Sequence, residues 1–402
     1  MISTVTPQIA KALESSSFIR KMFERGLELK KAYGNDSVYD FSLGNPDVPP
    51  PAKTREELLK LAQSVVQPLG LGYCPNAGIV SVREAMAKYL SRQQETALSG
   101  KDIIMTVGAA GAMVSFFRAV IEPGDEVIVP SPYFVEYTSY CGHFGGVLKP
   151  VPSIAPAFEP DVEAIKASIT PKTRAILINS PNNPTGAVYS KDVLRKIAEI
   201  VNETNEQRLS DNSLRPLFLV SDEPYRAFAF DGVEVPPMLP QSKWTCVLGS
   251  FSKTLSLAGE RIGYFTANPE MPGYETLIAA VTITKRKLGF VNAPVIGQRL
   301  VEALLDETVD LEIYDRRRKL MAKVLSEAGI EFAMPKGAFY FFAKSPISDD
   351  VKFVDLLVQE RILAVPGSGF GYPGYIRLCC SVDEKVISNS AEGFNRIMAS
   401  LR

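Results

Sequence analysis

From Ile103 onward the chain alternates short apolar runs with segments of helical period, and this rhythm constrains the fold more than any other feature. The runs lie at Ile103–Val107, Glu126–Val129, Gly146–Val151, Ala175–Asn179, Phe218–Asp222, Thr245–Ser250 and Arg261–Phe265. Each is too short for a helix, and several lack the apolar–polar alternation of a half-solvated strand, so they read as strands buried on both faces. Between them Ala110–Val120 reads as a helix, and Ser190 as the N-cap of another whose Val193, Leu194, Ile197, Ala198 and Val201 form one stripe. Buried strands alternating with helices predict an α/β domain, a mainly parallel sheet flanked by helices.

The 402 residues suffice for two or three units at about 150 residues each. After about residue 310 the rhythm changes. Tyr314–Ala328 reads as a helix closed by Gly329, followed by β-type runs Phe339–Phe342, Ile362–Val365 and Ile376–Cys380 and helices near Lys352–Arg361 and Ser388–Leu401. The expectation is a large domain at 46–305 and a smaller α+β domain at 306–402. Residues 1–45, read as a helix and a charged stretch Phe18–Lys31 ending at the turn Ser42–Asp47, pack with the smaller one. Pro49, Pro50 and Pro51 interrupt regular structure, and Leu209–Pro216 reads as an exposed insertion.

Charge removes some functions. Forty-four basic residues balance forty-five acidic ones, which argues against nucleic acid as a partner, since a phosphate-backbone binder shows a basic excess. The five cysteines, Cys74, Cys141, Cys246, Cys379 and Cys380, show no Cys-x-x-Cys spacing, and the single histidine, His143, completes no metal cluster. Met1–Lys11 has no signal-peptide pattern and no apolar stretch is long enough to span a bilayer. The expectation is a cytoplasmic protein with reduced thiols, no metal and no membrane partner, whose chemistry does not use histidine as its base.

In an open parallel sheet, ligands bind beyond the carboxyl ends of the strands. Here those ends lead into Gly108-Ala109-Ala110, where free amides opening a helix suit an anion, and into Tyr133-Phe134, which supply aromatic faces. They also lead into Asn182-Asn183-Pro184-Thr185-Gly186, Asp222-Glu223-Pro224-Tyr225 and Ser250-Phe251-Ser252-Lys253, with Arg261 beyond. Each has a plain structural reading: a turn, a cap, a solvated lysine. Their convergence on one sheet edge is what carries weight. A flat, anionic heteroaromatic aldehyde would use all of them, and pyridoxal 5′-phosphate is such a molecule.

Three runs, Asn183-Pro184-Thr185-Gly186, Ser221-Asp222-Glu223-Pro224-Tyr225 and Ser250-Phe251-Ser252-Lys253 with Arg261-Ile262-Gly263, occur in order. In them the chain resembles the class I/II aminotransferases of the fold-type I pyridoxal-phosphate enzymes, from Leu43-Gly44-Asn45-Pro46 to Arg377. The resemblance implies ping-pong transfer of an amino group from an L-amino acid to a 2-oxo acid. It implies that Lys253 carries the cofactor covalently and shuttles the substrate proton, for which the amine must be neutral. Asp222 would face the pyridine nitrogen, Asn183 and Tyr225 the phenolate oxygen, and Phe134 the ring face. Ser250, Arg261 and the amides of Gly108, Ala109 and Ala110 would hold the phosphate, with Tyr73 reaching it from the other subunit of a homodimer that shares its active site. Arg377, with Gly44 and Asn183, would grip the substrate carboxylate, and closure of the small domain would follow. The plain alternative for Arg377 is an ion-paired strand arginine.

Two other enzyme classes have fragments here. Ser250-x-x-Lys253 with Ser210-Asp211-Asn212 imitates penicillin-recognising enzymes, but in reversed order and without Lys-Thr-Gly. Gly367-Ser368-Gly369-Phe370-Gly371 fails Gly-x-Gly-x-x-Gly at Tyr372 and reads as a turn. On the resembling scaffold, a carbon–sulfur β-lyase is the alternative activity; a cofactor-binding regulator would need a basic DNA-binding extension. Substrate identity stays open. Ala109-Ala110 stand where some aspartate-specific relatives carry a lysine. Lys285-Arg286-Lys287 read as a solvated helix face or as recognition of an acidic side chain, and Phe18, Tyr133 and Tyr340 suit an aromatic one.

Overall fold

The computed structural model describes residues 4–14, 18–210 and 214–401. The chain divides into two compact units, one of residues 46–313 with 336–338, the other of residues 1–45, 314–335 and 339–402. The strands among the described residues are β1 (Tyr39–Asp40), β2 (Ile104–Val107), β3 (Glu126–Ser131), β4 (Val147–Pro152), β5 (Thr173–Asn179), β6 (Phe218–Asp222), β7 (Thr245–Ser250), β8 (Ile262–Ala267), β9 (Tyr340–Lys344), β10 (Ile362–Leu363), β11 (Val365–Pro366) and β12 (Tyr375–Cys379).

The larger unit is an α/β domain around a seven-stranded sheet in the order β2-β8-β7-β6-β5-β3-β4. Every residue of β5, β6, β7 and β8 is buried, which is why those runs are apolar without alternation. Each fully buried Ile, Leu or Val there stabilises the fold by roughly 1.5–3 kcal/mol. The edge strand β4 is mostly solvated and carries Lys149, Pro150 and Pro152, a composition that discourages pairing with another chain.

One strand departs from the parallel expectation. β8 runs antiparallel to both β7 and β2. Its amino end therefore lies at the edge where the parallel strands finish, and Arg261, just before it, joins the residues that come after β6 and β7. The first helix of the sheet also begins two residues earlier than its apolar stripe implies, at Gly108 rather than Ala110, because Gly108 supplies a φ of 67° at the strand-to-helix junction.

The smaller unit holds the antiparallel sheet β11-β12-β9 and the parallel pair β1-β10. The run Ile362–Val365 divides because its two halves have different partners, Ile362 with Tyr39 and Val365 with Arg377. The charged stretch Phe18–Lys31 is itself a helix, Phe18–Tyr33, laced by pairs such as Arg20–Glu24 at 3.0 Å. The residues read as the Leu209–Pro216 insertion begin inside the helix Lys191–Ser210, while 211–213, including Asp211 and Asn212, lie outside the described residues. Among the described residues no helix is long and apolar enough to cross a membrane.

Candidate active site

The anion cradle is assembled by strand register. Gly263 of β8 pairs with Ser250 on one side and Thr106 on the other, so Ser250, Arg261 and Gly108 finish together on adjacent strands. The approach is tight: a Cβ on Gly263 would stand 2.6 Å from the Gly108 carbonyl carbon and 2.9 Å from the Ala109 nitrogen. A Cβ on Gly108 would stand 2.8 Å from a guanidinium nitrogen of Arg261. Arg261 adopts the left-handed region, φ 52°, and donates to Ala258 O at 3.0 Å, which turns the guanidinium toward the opening of the helix Gly108–Val120. The amides of Gly108, Ala109 and Ala110, the helix dipole and this cation then face one locus.

On the neighbouring strand ends lies a buried acid. Asp222 closes β6 opposite Asn179 of β5 and Leu248 of β7. Its Oδ2 accepts from the Tyr137 hydroxyl at 2.5 Å, and its Oδ1 is buried without a hydrogen-bond partner. Burial pushes the Asp222 carboxyl up to about 7; the Tyr137 hydrogen bond opposes the rise and nearby Glu223 adds to it. Burial likewise raises Tyr137 far above the usual phenol range, with Asp222 contributing. Phe134 meets the edge of the Tyr137 ring, with centroids 5.5 Å apart. Tyr225 is buried near Tyr137.

The turn after β5 is braced by its own amides. Asn179 Nδ2 donates to Asp222 O at 2.8 Å, and Asn179 Oδ1 accepts from the Asn183 amide at 2.8 Å. Asn182 Oδ1 accepts from both the amide and the hydroxyl of Thr185. Asn183 is thereby fixed to the strand next to the one that carries the acid. Lys253 sits half-buried in the turn after β7, three residues past Ser250, with its carbonyl accepting from the Ser256 amide at 3.2 Å.

In the smaller unit Arg377 is 2% exposed on β12. Its guanidinium carbon lies 4.9 Å from the ring centroids of both Tyr340 and Phe370, and it donates to Ser42 O. Gly44 belongs to the same cluster, for a Cβ there would fall 2.0 Å from the Tyr340 hydroxyl. Two ring faces and a backbone carbonyl orient this arginine.

The remaining candidates separate. Tyr73 is 91% exposed, so within one chain it joins none of these groups. Within the basic run Arg286 and Lys287 are exposed, as a solvated face requires, but Lys285 is fully buried, and its ammonium donates to Met105 O at 2.7 Å and to Asn76 O. That also removes it from recognition of an acidic side chain. His143 is exposed. Gly367–Phe370 forms a 3₁₀ turn that places Phe370 against Arg377. Two residues escape the sequence reading, Tyr137 and Asn179. The only signal for Tyr137 is its place one turn after Phe134, and for Asn179 its place at the end of a buried apolar run.

These features fit pyridoxal 5′-phosphate. An orphaned buried carboxylate oxygen calls for a cationic N–H, and a guanidinium set against the glycine that opens a helix suits an anion held by backbone amides. Among the described residues no group of three His, Cys, Asp or Glu side chains could hold a metal ion.

Comparison with known proteins agrees. The family model described as aminotransferase class I and II matches residues 36–394. An aspartate/prephenate aminotransferase of Thermus thermophilus is 32% identical over 386 residues, covering 93% of this chain and 94% of the relative. Among solved structures, an amino transferase from Eubacterium rectale superposes with a TM-score of 0.93 at 34% identity, covering 99% of each chain. The Thermus thermophilus aspartate aminotransferase with maleate gives 0.85 at 28% identity, covering 98% of this chain and 100% of that one.

Proposed function

This chain belongs to the aminotransferase class I and II family, whose enzymes depend on pyridoxal 5′-phosphate, and from that premise we propose which of its residues perform amino transfer from an L-amino acid to a 2-oxo acid. The observation that carries the assignment is the orphaned Oδ1 of Asp222, buried at an end of the sheet whose neighbouring strands end in the anion cradle. When bound, the cofactor supplies an aldehyde that accepts the amino group and a ring that draws electrons from the substrate Cα.

The residues divide the work. The amides of Gly108, Ala109 and Ala110, the Ser250 hydroxyl and the Arg261 guanidinium hold the phosphate. Asp222 Oδ1 accepts the ring N–H and keeps it protonated, while Tyr137 and Asn179 fix the acid. Asn183 and Tyr225 donate to the phenolate oxygen, and Phe134 covers the ring face. Nζ of Lys253 binds the cofactor, then takes the substrate Cα proton as general base and returns it as general acid. Arg377 takes the substrate carboxylate through its planar fork, helped by Gly44 and Asn183.

Tyr73 serves the phosphate of a second copy. The apolar side chains around it support a homodimer: Leu69 is 87% and Val66 79% exposed, an arrangement suited to being covered by another chain. Mixing Tyr73→Ala and Lys253→Ala proteins should restore part of the activity through hybrid dimers; no rescue would refute the shared site. Five free cysteines suit a reducing cytoplasm. The names of the relatives put acidic and prephenate-like substrates first. A panel of L-aspartate, L-glutamate, L-phenylalanine and L-alanine with 2-oxoglutarate or pyruvate, monitoring both transfer and ammonia, tests the whole reading. Ammonia released without transfer would replace it by the β-lyase.

A further inference from the structure

A buried lysine closes one edge of the sheet. β2 pairs with β8 on one side only, so it has an edge whose polar groups need other partners. The amide of Met105 donates to Ala77 O at 2.8 Å, and the carbonyl of Met105 accepts from Lys285 Nζ at 2.7 Å. The same ammonium also binds Asn76 O. Around this bridge, Gln298 Oε1 accepts from the Ile79 amide at 2.8 Å, and Gln298 Nε2 lies 3.4 Å from the Cys74 sulfur. The segment 74–79 is thus bound to the edge strand, with Tyr73 projecting from its start into solvent.

Lys285 is an expensive residue to place there. It is 0% exposed, and among the described residues no carboxylate pairs with it. Burial lowers its affinity for a proton, the Arg83 charge lowers it further, and only Cys74 opposes them. Were closing the strand edge its only task, a neutral donor would serve at smaller desolvation cost. What the long ammonium does is bridge two carbonyls on separate segments, one in the Tyr73 arm and one in β2, three residues before Gly108.

We propose that Lys285 is a positioning residue that pins the Tyr73 arm to β2, fixing where Tyr73 meets the phosphate held by a second copy. The inference rests on Tyr73 serving that phosphate. It makes Lys285 act on cofactor affinity without touching the cofactor.

The test uses the holoenzyme and has two readouts. In Lys285→Met, amide hydrogen exchange at residues 76–79 should accelerate by about tenfold or more while β7 is unchanged. Unchanged exchange at 76–79 overturns the proposal. Pyridoxal-phosphate dissociation constants are then measured for Lys285→Met, Tyr73→Phe and the double variant. Each single change should weaken binding by about tenfold, with the double no weaker than the worse single, because both act through one contact. Additive losses would show that Lys285 does not act through Tyr73. Normal affinity in Tyr73→Phe would refute the role of Tyr73, leaving exchange at 76–79 to decide the clamp by itself. Should the Met variant fail to fold, Lys285→Gln, which keeps two N–H donors without the charge, is put through the same measurements.

Discussion

Tyr137 donates its hydroxyl to Oδ2 of Asp222 at 2.5 Å, across 85 positions of sequence, and the second oxygen of that carboxylate is buried without a hydrogen-bond partner. Removing the donor isolates the effect. Tyr137→Phe takes away the one hydrogen bond that favours the ionised acid, so Asp222 should hold its proton to higher pH. A hydrogen bond to a charged group contributes about 1.5–3 kcal/mol, so cofactor affinity should fall by roughly tenfold or more. Equilibrium dialysis measures this, and unchanged affinity would remove Tyr137 from the site.

The same acid makes stability depend on pH in the cofactor-free protein. Its folded-state pKa is raised to about 7, above its value in an unfolded chain near 4. Between the two, the folded chain keeps a proton that the unfolded chain has released. The stabilisation is therefore complete below about pH 4 and disappears as pH rises through about 7. Thermal midpoints of cofactor-free wild type should fall relative to Asp222→Asn over that window. A flat difference would show that Asp222 is already ionised.

Lys253→Ala should abolish covalent attachment while leaving the sheet intact, because the turn after β7 buries this side chain only in part. Borohydride reduction and mass spectrometry should find cofactor on wild type and none on the variant. A labelled variant would assign the imine to another lysine.

Gly44 and Arg377 can be tested through the ring between them. Gly44→Ala drives a Cβ to 2.0 Å from the hydroxyl of Tyr340, a residue only 2% exposed and therefore unable to retreat. The variant should lose about 1–3 kcal/mol of stability. It should also raise KM for amino and oxo acids more than it lowers kcat, as Tyr340 shifts against Arg377. Adding Tyr340→Phe should recover part of both losses. Arg377→Lys should raise KM without the stability loss, since an ammonium lacks the planar fork. Equal KM values in all four proteins would dismiss the cluster as a carboxylate grip.

Much of the fold and the site is legible in residue order. The strand ends can be read because β5, β6 and β7 are buried on both faces and announce themselves as unbroken apolar runs. The residues just past each run are then displayed at one edge by topology alone. The reversal of β8 is not legible, because strand direction is set by tertiary pairing and leaves no mark on composition. Lys285 misleads for a related reason: between Thr284 and Arg286 it has the local appearance of solvated polar surface. Its partners are carbonyls 209 and 180 positions away. Tyr137 is hidden in the same manner, since its partner is a strand end contributed by a distant segment.

The reversed strand has one more consequence. Ser250 and Arg261 are the two posts of a single loop, and ladder pairing between β7 and β8 holds both posts in place. Lys253 rides on the span between them. Lengthening that span costs little closure entropy, about 0.6 kcal/mol for each doubling. An engineer could therefore graft spans of different length between the same posts and retune the reach of the amine while the anchorage of the anion stays as it is.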